Sequence, residues 1–151
     1  MKVICMKWLK TFVESAGFQV VATFNPPETL SAGDITNLIN TAKSEKVALI
    51  VDNLQIDVEF GERIASQVGA EHVVLTNFPG AIPGTENLTQ MFRYNAEQLF
   101  NATSTWKATA ALKADMESLK GQVATYQLTT SLVVIVAAVE AVWLYISKRR
   151  K

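Results

Sequence analysis

Residues Val3–Phe24 read VICMKWLKTFVESAGFQVVATF. The stretch opens on a short apolar run, Val3–Met6, which suits a strand. Trp8, Phe12 and Ala16 then recur every four residues, with Leu9 and Val13 beside them, so Trp8 to Ala16 has the period of a helix. Gly17 ends that helix as a left-handed C-terminal residue. Phe18–Phe24 is β-branched and aromatic, a second strand, stopped by Asn25-Pro26-Pro27. A strand, a short helix and a second strand within about two dozen residues require a parallel crossover.

The pattern repeats downstream. Ser31 or Asp34 caps a helix whose apolar face is Ile35, Leu38, Ile39 and Ala42. Val47–Val51 (VALIV) is apolar throughout, as a central strand covered on both faces should be. Asp57 to Val68 is a third helix closed by Gly69. His72–Leu75 is a fourth strand. The loop Asn77–Gly84 (NFPGAIPG) is rich in turn residues. Strands alternating with helices through short loops predict an α/β domain: a four-stranded, mostly parallel sheet flanked by helices.

After Thr85 the texture changes, with no further Pro and only Gly121. Leu88, Met91, Phe92, Leu99 and Phe100 suit a helix packed on the sheet. A stalk rich in Ala and Lys follows, in which Leu112, Met116, Leu119, Val123 and Tyr126 are spaced 4, 3, 4, 3. Two readings fit this seam: a helical spacer, or a self-associating coiled coil. Leu128–Ile146 (LTTSLVVIVAAVEAVWLYI) holds one charge, Glu140, and is long enough to cross a hydrocarbon core. Lys148, Arg149, Arg150 and Lys151 follow, and such a cluster belongs on the cytoplasmic side. The expected organisation is an α/β lobe over 1–103, a helical stalk over 104–127, one transmembrane helix over 128–147 and a cytoplasmic tail over 148–151, with the lobe outside the cell membrane. Glu140 is either tolerated near the cytoplasmic end or paired with a transporter helix.

Charge and composition narrow the function. Residues 1–100 hold 7 Lys and Arg against 11 Asp and Glu, a net −4, and residues 101–151 hold 7 against 3, a net +4. The basic excess is confined to the last four residues, so no basic patch points to nucleic acid. Cys5, the only cysteine, sits in an apolar run and reads as a buried, inert side chain. Glycine-rich phosphate loops, CxxC, HExxH and GxSxG are all absent, so no catalytic set is visible. His72 begins a strand at the end opposite the expected ligand rim and reads as a surface residue. Trp8 reads as a packing residue or as an aromatic at a site mouth. The triplets at Asn87 and Asn101 match the N-glycosylation pattern, which matters only on a glycosylating export route.

In an open parallel sheet, ligands bind outside the carboxyl ends of the strands. In this chain those ends carry Met6-Lys7, Asn25, Asp52-Asn53 and Thr76-Asn77. An oxygen-rich rim suits a cation or a polar small ligand, although Asn and Asp also leave strands simply because they turn well.

Taken in order, three segments resemble the C-terminal lobe of the metal-binding solute receptors of ABC transporters, the zinc and manganese cluster with a rigid helix between two lobes. Lys2–Phe24 looks like that family's strand–helix–strand opening. Glu28–Gln55 is similar to its second crossover. Glu71–Phe100 is similar to its closing strand, ligand loop and final helix, with a Tyr-Asn pair at Tyr94-Asn95. The resemblance implies no enzyme but an extracytoplasmic receptor lobe, held here by the apolar span, that binds zinc or manganese and delivers it to an ABC permease; the soft thioether of Met6 adds copper as a candidate ion. The helical anchor would replace that family's usual lipid anchor.

It also implies that a first lobe is missing and that the chain is the second half of a longer receptor. Met1–Met6, with Lys7 and Lys10 following, is too short for the signal peptide an exported lobe needs, which fits either that missing first half or a tail-anchored cytoplasmic protein. The family's two ligands from this lobe fall on Met6, where His or Glu is usual, and on Asn77, where Asp is usual, with Asp52 as a third candidate. Thioether is soft and neutral, amide oxygen is hard and neutral, and Lys7 adds positive charge, so these donors would hold a divalent ion weakly. A degenerate lobe that acts as an interaction module without metal is the alternative.

Overall fold

The computed structural model describes residues 1–149; Arg150 and Lys151 of the basic tail lie outside the described residues. The chain divides into two compact units, Met1–Ala108 and a second beginning at Thr109.

The first unit is built on four strands: β1 (Lys2–Met6), β2 (Gln19–Phe24), β3 (Leu49–Asn53) and β4 (Glu71–Leu75). Every pairing is parallel and the order is β2-β1-β3-β4. The sequence predicts a mostly parallel sheet; the sheet is wholly so. The helices are α1 (Lys10–Ser15), α2 (Ala32–Ser44), α3 (Glu59–Val68) and α4 (Leu88–Arg149). Chain order runs from β1 outward to β2, then back across to β3 and on to β4, so the direction of winding reverses between β1 and β3. Right-handed crossovers then place helices on both faces. On one face Phe12 of α1 stacks on Phe92 of α4, with ring centroids 5.5 Å apart. On the other, Phe60 of α3 meets Phe24 of β2 at 5.4 Å.

The central strands are the core. Val3, Ile4, Cys5 and Met6 of β1 and Leu49, Ile50 and Val51 of β3 are fully buried, as double coverage requires. Each large aliphatic among them contributes about 1.5–3 kcal/mol of transfer free energy. Burial pushes the Cys5 thiol up to about 12, which keeps it protonated and unreactive.

Local chemistry fixes the helix ends. Ser31 caps α2: its Oγ accepts the Asp34 N–H at 3.2 Å, and the Asp34 carboxylate accepts the Ser31 N–H at 2.9 Å. The Ser31 hydroxyl, which donates to the same carboxylate at 2.7 Å, and then the Ser31 N–H hold the Asp34 carboxyl below its ordinary value. Helix α3 starts at Glu59, two residues later than its apolar period suggests, because the Asp57 carboxylate accepts the Glu59 N–H and makes a turn. Gly69 closes it with φ 72°, where a β-carbon would be strained. The segment from Trp8 to Ala16 is less regular than its period predicts: a 3-10 turn over Lys7–Leu9 precedes α1.

Helix α4 has 62 residues. Asn87 caps it, its side-chain oxygen accepting the Gln90 N–H at 3.0 Å. Its first turns pack on the sheet through Met91, Asn95 and Leu99. In the second unit, every residue from Ala111 to Ile146 is exposed. The mean hydropathy reaches 2.0 over an 18-residue window, so this helix is long and apolar enough to cross a membrane.

Candidate functional site

The carboxyl ends of the strands carry a connected set of neutral polar groups. Asn53, the last residue of β3, is fully buried; its amide donates to Asn77 Oδ1 at 3.0 Å and its own oxygen accepts the Gln55 N–H at 3.1 Å. Gln55 Nε2 donates to Thr76 Oγ1 at 3.1 Å. Asn95 reaches up from α4 and clamps the backbone of Thr76 at both ends: its Nδ2 donates to the carbonyl at 2.7 Å, and its Oδ1 accepts the N–H at 3.1 Å. Thr76 and Asn95 are buried, so the pairing satisfies groups that would otherwise be costly. Beside this network lies a groove of ≈ 530 Å³ with apolar walls, Trp8, Leu9, Phe12 and Phe92, and a polar end, Thr76, Asn77 and Asn95. Trp8 is 56% exposed: it stands at the mouth of the groove and not in the core.

The three residues singled out as metal donors do not converge. Asn77 is exposed and lines the groove, with its oxygen already accepting from Asn53. Met6 is fully buried beneath the first 3-10 turn, where its sulfur accepts the Trp8 N–H at 3.5 Å. Asp52 is fully buried, one residue short of the strand end, and its carboxylate lies against Gly61 of α3. Side chains alternate along a strand, so Asp52 and Asn53 face opposite sides of the sheet. Only Asn53 joins the rim.

Asp52 has a different partner, one that sequence reasoning missed. His72, in the register position beside Ile50, places Nε2 2.7 Å from Asp52 Oδ2. His72 is thus no plain surface residue; its side chain is only 19% exposed. The available signal was the in-register pairing of β3 and β4: once Ile50 stands opposite His72, Asp52 and His72 share a face two positions apart. Burial raises the Asp52 carboxyl above its ordinary value, and the hydrogen bond and charge of His72 oppose that shift. Asp52 Oδ1 has no hydrogen-bond partner among the described residues.

Chemically, the rim can donate and accept neutral hydrogen bonds and can pack a flat apolar surface against Trp8 and Phe92. Among the described residues no group of three His, Cys, Asp or Glu side chains could hold a metal ion.

No protein-family model matches the chain, and no curated protein matches it in sequence. Its fold is that of solved periplasmic metal-binding proteins. One is the periplasmic metal binding protein from Candidatus Liberibacter asiaticus (TM-score 0.55, 15% identity, 67% of this chain and 39% of that one). The same protein with Mn bound aligns at TM-score 0.53 with 15% identity, over 66% and 39% of the two chains. Another is the SBP FpvC from P. aeruginosa in complex with Ni2+ (TM-score 0.52, 17% identity, 67% and 38%). The chain spans under two fifths of the length of these structures. Both are binding proteins.

Proposed function

We propose that the chain is a membrane-held lobe of a solute receptor, displayed on the extracytoplasmic side and serving an ABC permease, with a metal ion or another small polar solute as cargo. The likeness of two thirds of the chain to periplasmic metal-binding proteins carries this reading. The carboxyl edge of the sheet is the half-cleft. Because the hydrogen-bonded rim network holds no carboxylate, the anionic donors for a cation come from a facing lobe, on the same polypeptide or on another. Asn77, on the groove, is the donor this lobe offers, while Met6 and Asp52 hold the structure behind it.

The anchor supports the placement. Tyr126 and Tyr145 stand about 28 Å apart along the helix, close to the thickness of a hydrocarbon core, as an aromatic belt would require. Arg149 lies over the Tyr145 ring at 5.2 Å, at the basic end that belongs in the cytoplasm. Anchoring keeps a receptor within reach of its permease and raises its effective concentration there.

A second reading is favoured by the aromatic groove and the neutral rim: a receptor-type lobe that has given up metal and grips a partner protein. Calorimetric titration of Mn2+ and Ni2+ into the full chain in nanodiscs separates the two. Saturable binding that is lost in Asn77→Ala supports the receptor. Absence of binding up to millimolar ion shows that this lobe holds no metal by itself and favours the interaction module.

A further inference from the structure

The exposed large apolar residues of the stalk follow one line, whereas those of the apolar segment after Tyr126 cover every face of the helix. Leu112, Met116, Leu119, Val123 and Tyr126 are all about half exposed or more and alternate in steps of four and three. The same count continues unbroken into the apolar segment through Thr130, Val133, Ala137, Glu140 and Leu144. Glu140, the one charged residue between Lys120 and Lys148, is in phase with the stalk's apolar seam. We propose that this face is the interface of a parallel homodimer: a second copy of this chain lies along it from Leu112 to Leu144, and the two Glu140 side chains meet at the seam.

Continuity is the first support. The two heptads above the membrane are too few to pair alone in water, but the unbroken phase carries the seam through nearly five. A straight helix drifts about 20° per heptad from such a seam, so the pair is a shallow left-handed supercoil.

Charge is the second. With Met116 and Val123 at a, and Leu112, Leu119 and Tyr126 at d, Asp115 takes a g position and Lys120 the following e position. In a parallel pair those two positions face each other across the interface, so Asp115 of each copy meets Lys120 of the other. Gln122 and Gln127 stand in the same relation as neutral amides, and no like charges oppose along the stalk. Two copies inserted with the same topology are necessarily parallel, so the anchor selects the orientation that the charges fit.

The third is Glu140. A carboxyl in hydrocarbon needs a polar partner, and the seam supplies the same residue of the second copy. Two facing carboxyl groups hydrogen-bond when one carries a proton, and the small Ala137 one turn away lets the helices approach. A single polar residue at a core position also fixes register.

This inference rests on the membrane part of the proposed function, and the test keeps the two apart. The full chain is reconstituted in liposomes with Cys5→Ser and single cysteines, then oxidised. Leu119→Cys and Val133→Cys, on the seam, are expected to form disulfide-linked dimers several-fold faster than Ala124→Cys and Ser131→Cys, on the flank. In fluorescence transfer between labelled copies, Glu140→Leu is expected to lower the dimer fraction and Glu140→Gln to keep most of it. Equal cross-linking on seam and flank, or a dimer fraction unchanged in Glu140→Leu, overturns the proposal. A chain that fails to float with the liposomes overturns the membrane reading; one that floats but stays monomeric overturns this one alone.

Discussion

Asp52 and Asn53 are adjacent in β3 and equally buried, yet they serve opposite sides of the sheet. Asp52 turns a carboxylate into the packing under α3, where His72 meets it. Asn53 turns a neutral amide to the open edge, where it ties Asn77. The Asp52 carboxylate thus lies away from the open carboxyl edge, and the neutral amides of Asn53 and Asn77 lie on it. A receptor lobe for divalent ions would place them the other way round. The difference argues that the Asp52–His72 pair is structural and that the edge of the proposed cleft offers neutral hydrogen-bonding groups.

Breaking the charged side should have the largest effect. His72→Ala strands a buried carboxylate and should cost about 3 kcal/mol near pH 7, measured by denaturant unfolding. The sign on acidification follows from the raised Asp52 carboxyl: protonation favours the folded state, so this contribution is fully present below the unfolded value and is lost as pH rises through the folded one. The deficit of His72→Ala should therefore shrink toward acid pH. Adding Asp52→Asn should recover most of it at neutral pH. A deficit that stays constant with pH would show that His72 acts by packing alone.

On the neutral side, Asn95→Ala removes both hydrogen bonds to Thr76 and leaves a buried N–H and carbonyl unpaired. A loss of about 2 kcal/mol is expected, with faster amide exchange at Thr76. A loss as large as that of His72→Ala would erase the energetic distinction between the two sides.

Gly61→Ala probes the fit of the charged side from above. A β-carbon there would overlap the Asp52 carboxylate, with a cost of about 1–3 kcal/mol, offset in part by about 1 kcal/mol of helix propensity. In an Asp52→Ala background the overlap is gone, and the same change should become neutral or stabilising. Thermal unfolding of the four combinations measures the coupling.

Much of this architecture is legible in the residues. VALIV announces a doubly covered strand, Gly69 ends α3, and Leu128–Ile146 is apolar over the length of a membrane span. The site is less legible, for a reason of register. Alternation along β3 says that Asp52 and Asn53 diverge, but not which of them faces α3. That depends on the strand order and on the match of Ile50 to His72, both set by tertiary packing. Met6 fails as an open donor for a related reason: the 3-10 turn over Lys7–Leu9 folds back on it, and nothing in the spacing of Trp8, Phe12 and Ala16 signals that turn.

The smallest change in stability should come from Asn77→Asp, and it sharpens the comparison most. Asn77 is exposed, so the substitution should shift stability by no more than about 0.5 kcal/mol. Its oxygen still accepts from Asn53, now as a carboxylate, so the rim network survives with one added negative charge. If the carboxyl edge is a neutral half-site, that charge alone should tighten Mn2+ binding several-fold in calorimetric titration. Asp52→Asn should leave the same titration unchanged, because its carboxylate is sealed under α3. Weakened Mn2+ binding in Asp52→Asn, with no gain in Asn77→Asp, would put the ion on the α3 side of the sheet and exchange the roles of the two neighbours.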